Sequence, residues 1–299
     1  MKRILITGGA GQVGSYLVDR FHEENEVTIL DNYSSPTRKD VPEGVSVIKA
    51  DIRDDISEHM SNTDVIIHTA AQISVVRSMN EPFFDAQNNI MGTLNLLEEA
   101  RHANIERFVY FSSAATYGNP LKVPIGETHP QEPLSPYGAS KLAGEKYCIM
   151  YNKAYGLPTT CIRPFNIYSP RQDPSNPYSG VISKFIDKVS GGASPTIFGD
   201  GEQTRDFIYV RDIVDLVDLM ISKRTAIGES FNAATGRSTT INELAEIIID
   251  LFGKELKADY KDPLEGDIKH SVADISKAEK LGFVPKVDLR KGLETFLEK

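Results

Sequence analysis

The chemistry in this sequence sits in a few residues whose types and spacing fit one another. Tyr137 and Lys141 stand four apart in "SPYGASKLAGE", and Pro136 favours a helix start just before them, so both side chains fall on one helical face. A phenol titrates at about 10, and a neighbouring ammonium favours its ionised form. Such a pair can act as a general base. Ser113, in "FSSAATYG", ends the β-rich run "RFVYF" and could hydrogen-bond the same substrate hydroxyl and relay its proton. The next two residues are Ala114 and Ala115. They offer no acid, no base and no metal ligand.

A second group is rich in glycine. In "TGGAGQVG", Gly9, Gly11 and Gly14 satisfy G-x-G-x-x-G, while Gly8, Gly11 and Gly14 give the wider G-x-x-G-x-x-G spacing. Glycines there permit a tight turn, close approach of a pyrophosphate and close packing of helix on strand. The helix start then offers free N–H groups to the phosphates. Asp31 follows 20 residues after Gly11, where a carboxylate accepts from both ribose hydroxyls and repels a 2′-phosphate. NAD is therefore expected rather than NADP. Asp51, after the third strand, is placed to meet the adenine; on spacing alone it reads equally well as a loop or capping aspartate. The cationic nicotinamide ring would join Lys141 in bringing the Tyr137 pKa toward neutrality.

These residues need a frame. Strand candidates are 3–7, 26–30, 45–50, 64–69, 107–112 and 158–163, with amphipathic helical stretches such as "VGSYLVDRFHEE" and "NIMGTLNLLEEARHA" between several of them. That alternation predicts an α/β fold, a Rossmann-type doubly wound parallel sheet. Ligands bind such sheets beyond the carboxyl ends of the strands, where "FSSAATYG" lies. After Arg163 the pattern loosens. Residues 169–180 read as a loop, and helices near 180–190, 211–223 and 241–252 mix with the short strands "PTIF" and "SFNAA". The expected division is an NAD-binding domain over 1–168 and a smaller, mixed α/β substrate lobe over 169–299, with segments near 206–235 returning to the first.

Composition narrows the function. A chain of 299 residues, 40% hydrophobic, can bury roughly three quarters of its unfolded surface. A net charge of −9 argues against non-specific nucleic-acid binding. Cys148 and Cys161 form neither a disulfide framework nor a zinc-spaced set. No apolar run reaches the roughly 18 residues of a spanning helix, and the first strand follows the chain start too closely for a signal peptide. A soluble, cytoplasmic protein is expected. His68 reads as a packed strand-end histidine, Arg163 as one member of an internal ion pair, and Tyr147, Tyr151 and Tyr155 as one helix face.

In order along nearly the whole chain, "TGGAGQVG", "DN", "ADIR", "HTAA", "FSSAATYG", "SPYGASK", "RPFNIYSPRQ", "GEQTRDFIYVRD" and "VADISKA" resemble the extended short-chain dehydrogenase/reductases that act on nucleotide sugars. Within that superfamily the sequence most resembles the UDP-hexose 4-epimerases. The resemblance implies Tyr137 as base, Lys141 as its partner and Ser113 as hydroxyl relay. It puts Gln12, Val13, Asn32, Ile52, Ala70 and Ala71 at the cofactor with the glycines, and Asn89 near the nicotinamide. Ser74 falls among the substrate residues, Asn166 and Arg205 at the sugar diphosphate, Ile197 and Phe198 near the uracil. It also implies a homodimer built from the helices around 83–102 and 137–155.

Relatives that dehydrate the sugar resemble one another in placing Asp and Glu directly after the Ser/Thr, and decarboxylating relatives usually keep a Glu nearby. With Ala114 and Ala115 there, 4-epimerisation through a 4-keto sugar is the expected reaction, UDP-glucose/UDP-galactose and the 2-acetamido pair the expected substrates. Another nucleotide-sugar enzyme of the fold (dehydratase, decarboxylase or net dehydrogenase) and a non-catalytic NAD sensor stay open as alternatives. Ser271 occupies the position beside the sugar's C2 substituent where some relatives carry a tyrosine, and "VVRS" at 75–78 also resembles the N-acetyl-accepting group. Two departures stand out: Leu264 replaces the arginine usual at the diphosphate, and Ser169 replaces a glycine.

Overall fold

A computed structural model describes residues 1–299 except 36, 37, 39, 61, 173–179, 265, 267, 298 and 299. The expected 169–180 loop thus lies partly outside the described residues. The first half of the chain contains β1 (Arg3–Thr7), α1 (Gln12–Phe21), β2 (Glu26–Asp31), β3 (Ser46–Lys49), β4 (Val65–His68), α2 (Val75–Asn80), α3 (Pro82–Ala86), α4 (Gly92–His102), β5 (Arg107–Phe111) and α5 (Pro136–Tyr155). There follow β6 (Thr159–Pro164), β7 (Asn166–Tyr168), α6 (Val181–Ser190), β8 (Thr196–Phe198), β9 (Thr204–Arg205), β10 (Phe207–Tyr209) and α7 (Val210–Ser222). The chain closes with β11 (Ser230–Ala233), β12 (Thr239–Thr240), α8 (Ile241–Leu251), β13 (Asp259–Lys261), β14 (His270–Ser271), α9 (Ser276–Leu281) and α10 (Leu289–Glu294).

Seven of these strands form one parallel sheet in the order β11-β6-β5-β4-β1-β2-β3. It is buried on both faces, which is why its strands read as apolar runs rather than alternations. Ile4, Ile6, Val65 and Ile67 pack with Leu17, Phe21, Ile213 and Val217 of α1 and α7. Leu5, Ile66, Phe108 and Tyr110 pack with Leu96, Leu97, Cys148 and Tyr151 of α4 and α5. The order reverses between β1 and β4, so the crevice at their carboxyl ends is where such a sheet opens to a ligand. There are three smaller sheets, β10-β7, β12-β9-β14 and β13-β8; β7, β8 and β10 share a third core with α6, α8 and α10.

The helix expected over "NIMGTLNLLEEARHA" forms, but its first turn is not α-helical. Gln87–Met91 makes a π-helical turn, and Gly92 N–H bonds the Gln87 carbonyl five residues back. Turns of this kind recur at functional sites, and here the wide turn leaves Asn89 facing inward, buried.

Helix α5 is seated with unusual closeness. Ser135 caps it, its hydroxyl accepting from Gly138 N–H at 3.1 Å, and Gly156 in a left-handed conformation (φ 72°) ends it. A Cβ at Gly138 would stand 2.7 Å from the Ala115 carbonyl oxygen, and one at Gly144 would overlap the Tyr110 hydroxyl. Alanine at 144 would gain about 1 kcal/mol of helix propensity, but overpacking costs about 1–3 kcal/mol. Packing should win. Gly144→Ala is expected to lower Tm in a thermal melt, by about 2–4 °C per kcal/mol for a protein of roughly this size; an unchanged or raised Tm would contradict the seating described.

Candidate active site

The glycine turn after β1 is built for a ligand that must come close. Gly8 has φ 71°, and a Cβ there would stand 2.7 Å from Ala70 N. A Cβ on Gly14 would overlap the Gly8 carbonyl. Gly11 begins α1 with no side-chain cap, so the first N–H groups of the helix face outward as an anion site. Gln12 lies at that start with its Nε2 3.0 Å from Ser169 Oγ, and Val13 packs inward against two cores. Asp31 ends β2, each carboxylate oxygen taking one backbone N–H, from Ala10 at 3.0 Å and Tyr33 at 2.7 Å. The remaining lone pairs would suit a diol. These features fit a dinucleotide.

Asp51 is more restrained than its sequence context shows. Arg53 grips it through Nε and Nη2, both at 2.8 Å, and Asn32 Nδ2 reaches it at 2.8 Å. Its pKa falls to about 2, first because of the Arg53 hydrogen bond. Any adenine contact there shares a carboxylate already fixed by Arg53. Ile52 turns its side chain into the core, where a Cβ on Gly92 would stand 2.6 Å from its Cδ1. Only its backbone can meet a ligand. Ala70 and Ala71 are half-buried at the end of β4, with the Ala70 backbone packed against Gly8.

At the next strand end, Ser113 Oγ accepts from Ala115 N–H at 3.1 Å and stands near enough to Tyr137 to favour its phenolate. Tyr137, in the first turn of α5, is half-buried. The lowered pKa expected for it rests on Lys141 together with the cationic ring of the cofactor. Among the protein's own groups burial dominates and raises it, the nearby Ser113 hydroxyl opposing. Lys141 is buried below, its Nζ 4.7 Å from the centre of the Tyr110 ring. Desolvation lowers its own pKa to about 8. The lysine therefore approaches Tyr110 as a cation on a ring face and does not by itself depress Tyr137.

Asn89 is fully occupied. Its Nδ2 donates to the Gln72 carbonyl at 2.9 Å, to Asp85 Oδ1 at 3.1 Å and to Ser140 Oγ at 3.1 Å, and its Oδ1 accepts from Gln72 N–H at 2.8 Å. It ties three elements together. Ser74 is likewise buried, its hydroxyl capping α2 by accepting from Arg77 N–H at 2.9 Å.

The substrate-side residues gather along 204–209. Asn166 Nδ2 donates to the Asp206 carbonyl at 3.0 Å. Arg205 and Ser271 stand opposite each other where β9 meets β14, with Arg205 Nη1 bound to the Ile268 carbonyl at 2.6 Å. Strand β8 turns Phe198 outward and Ile197 into the core, so the Ile197 side chain cannot line a ligand pocket. Leu264 is exposed.

Two carboxylates escaped the sequence reading. Asp206, fully buried, accepts from Thr235 N–H at 2.8 Å, Gly236 N–H at 2.9 Å and Ala273 N–H at 3.2 Å. It holds the segment after β11 against the strand that carries Ser271. Its partners are far apart in sequence, and no local signal marks it. Asp85 joins the Asn89 network. By contrast His68 sits between the Thr7 hydroxyl at 2.8 Å and the Thr93 hydroxyl at 2.9 Å, and desolvation brings its pKa down to about 3. It is packing. Arg163 pairs with Glu145 at 2.5 Å, both buried. Among the described residues no cluster of three or more His, Cys, Asp or Glu could hold a metal ion, and no helix is long and apolar enough to cross a membrane.

Comparison with known proteins agrees with this geometry. A putative UDP-glucose 4-epimerase of Methanocaldococcus jannaschii is 43% identical over 296 residues, covering 97% of this chain and 96% of that one. The structure of a UDP-N-acetylglucosamine 4-epimerase from Methanobrevibacter ruminantium, in complex with UDP-N-acetylmuramic acid, superimposes with TM-score 0.94 at 39% identity, covering 99% of this chain and 98% of that one. A UDP-glucose 4-epimerase from Thermotoga maritima with UDP-glucose gives TM-score 0.93 at 38% identity, covering 99% and 97%. Residues 4–234 match the family described as NAD dependent epimerase/dehydratase, and with the glycine cradle, Asp31 and the Ser113–Tyr137–Lys141 group in place, this chain belongs to that family.

Proposed function

We propose that this protein is an NAD-dependent UDP-sugar 4-epimerase that accepts both UDP-glucose/UDP-galactose and their 2-acetamido counterparts. The observation that carries the reading is the end of β5: Ser113 stands beside Tyr137, and the residues that follow are alanines. Eliminating water would need an acid for the leaving hydroxyl and a base for the α-proton. Epimerisation needs one hydroxyl relay, one base and one hydride carrier.

Bound NAD supplies the hydride acceptor and donor, and the positive ring charge that lowers the Tyr137 pKa against the effect of burial. Gly8, Gly11 and Gly14 admit its pyrophosphate, and Asp31 selects it over NADP. Tyr137 takes the proton of the C4 hydroxyl while Ser113 holds that oxygen. The flat 4-keto sugar turns about its diphosphate, which Asn166 and Arg205 would anchor, so that hydride would return to the other face of C4 while Tyr137 gives the proton back to the C4 oxygen. Phe198, exposed on β8, is the residue we assign to the uracil. We place the boundary between cofactor domain and substrate lobe near residue 168, with α7 and β11 returning to the large sheet. A homodimer through α4 and α5 is supported by the apolar side chains left exposed there and nearby, Met91, Met150, Tyr155 and Phe83, the last 86% exposed.

Tyr137→Phe should lower kcat for UDP-sugar epimerisation about 10²–10⁴-fold, the contribution of a general acid–base group. Turnover near wild type would remove Tyr137 as the base.

The wider substrate range rests on Ser271. An acetamido group adds three heavy atoms beyond a hydroxyl-sized substituent, and crowding a tight site costs about 1–3 kcal/mol or more. Serine, half-buried opposite Arg205, leaves that room. With products resolved by NMR, wild-type protein should interconvert both pairs, and Ser271→Tyr should lose the acetamido pair selectively. Wild-type activity on the unsubstituted sugars alone, or equal loss of both pairs in the variant, would refute the pocket assignment.

A further inference from the structure

Asp85 on α3 is 1% exposed, and among the described residues it forms no ion pair. Its Oδ1 accepts from Gln72 Nε2 at 2.7 Å and Asn89 Nδ2 at 3.1 Å; its Oδ2 has no partner among the described residues. Leaving a carboxylate buried in this state is costly, so a compensating charge is called for nearby. Lys141 supplies one, its ammonium favoured by Asp85, while the hydrogen bonds lead to the turn of Tyr137. Asn89 donates to Ser140 Oγ at 3.1 Å, and Ser140 donates to the Tyr137 carbonyl at 3.0 Å. From its other end, Gln72 Nε2 reaches the Ser74 carbonyl at 3.0 Å. The Asp85 charge is felt at both Lys141, whose ammonium it favours, and Tyr137, whose phenolate it disfavours.

We propose that Asp85 is a positioning residue of the reaction centre, its buried carboxylate balancing the Lys141 ammonium and its hydrogen bonds through Asn89 and Ser140 fixing the turn that bears Tyr137. The proposal rests on the 4-epimerase reading. With oxidised NAD bound, the ring and Lys141 each carry one positive charge, and the Tyr137 phenolate and Asp85 each one negative charge. Passage of hydride from C4 to the ring and of the proton to Tyr137 would leave ring and phenol both neutral, with Lys141 and Asp85 still cancelling. Net charge is the same on both sides of that step, so what Asp85 sets is the local potential: its carboxylate favours the Lys141 ammonium and holds the Tyr137 phenol protonated to higher pH. An epimerase must give up and regain this proton in each cycle.

The other titratable groups facing the pair leave that balance intact. His68 on β4 stays neutral, its pKa lowered to about 3 by desolvation. The Tyr110 hydroxyl on β5 and the Cys161 thiol on β6 are pushed up by burial, Cys148 on α5 is a buried thiol, and Glu145 on α5 is neutralised by Arg163. On α2, Arg77 pairs with Glu81.

The test uses NAD-loaded protein. Tyrosinate absorbance is titrated against pH, with Tyr137→Phe subtracted to isolate Tyr137, and the pH profile of kcat/KM is recorded beside it. Asp85→Asn should move the Tyr137 midpoint, and the acidic limb of kcat/KM with it, down by about half a pH unit or more. Asp85→Glu, which restores the charge, should bring both back toward wild type even if Tm falls. Asp85→Ser is read in the same way should the asparagine variant not fold. An unchanged midpoint and limb in the charge-removing variants, with only Tm lowered, would reduce Asp85 to a structural residue and overturn the proposal. Because the absorbance titration needs no turnover, it reports on Asp85 separately from whether the wild-type protein epimerises a UDP-sugar.

Discussion

The distance at which α5 rests on the end of β5 governs the rest of the site. Two glycines on α5, at 138 and 144, allow the helix to touch the Ala115 carbonyl and the Tyr110 hydroxyl. That approach brings the first turn of α5 to Ser113 and lays Lys141 over the Tyr110 ring. A helix standing off by even one methyl layer would separate Tyr137 from Ser113, and misplacement of about 1 Å can cost on the order of 10²-fold in rate. Ser135 and Pro136 fix where the helix begins, so the spacing of Tyr137 and Lys141 becomes a position in space. Small residues here are therefore as much part of the chemistry as the tyrosine.

Electrostatics imposes a second constraint. The protein alone makes Tyr137 a weaker acid, because burial outweighs the effect of the nearby Ser113 hydroxyl. It also makes Lys141 a weaker base. In the proposed reaction the cation of the oxidised cofactor would offset that burial, which couples base strength to its presence. Elsewhere the structure keeps buried charge matched: Arg163 with Glu145 at 2.5 Å, and Asp206 among three backbone N–H groups.

What could be read in the sequence follows the range of the interactions. The glycine turn, Asp31 and the tyrosine–lysine pair are local patterns whose geometry is set within a few residues, and the parallel sheet follows from apolar strands alternating with amphipathic helices. Asp206 was illegible because its partners come from segments that meet only after folding, and Asp85 because nothing in its local spacing shows that it is buried. The π-helical turn at Gln87–Met91 was missed because nothing in its composition separates it from an α-helix. Ile197 and Phe198 were read as a pair; strand alternation, once the core is known, assigns them opposite faces. The burial that raises the Tyr137 pKa in the protein alone was illegible for a similar reason, since spacing on a helix says nothing about burial or about which ring the ammonium faces.

The central claim is that hydride leaves C4 and returns to C4 within one closed site. UDP-glucose carrying deuterium at C4, incubated with the protein and followed by NMR, tests it directly. The account predicts UDP-galactose that keeps deuterium at C4, with none exchanged into solvent and no NADH released. Loss of the label to water, or stoichiometric appearance of free NADH, would contradict it.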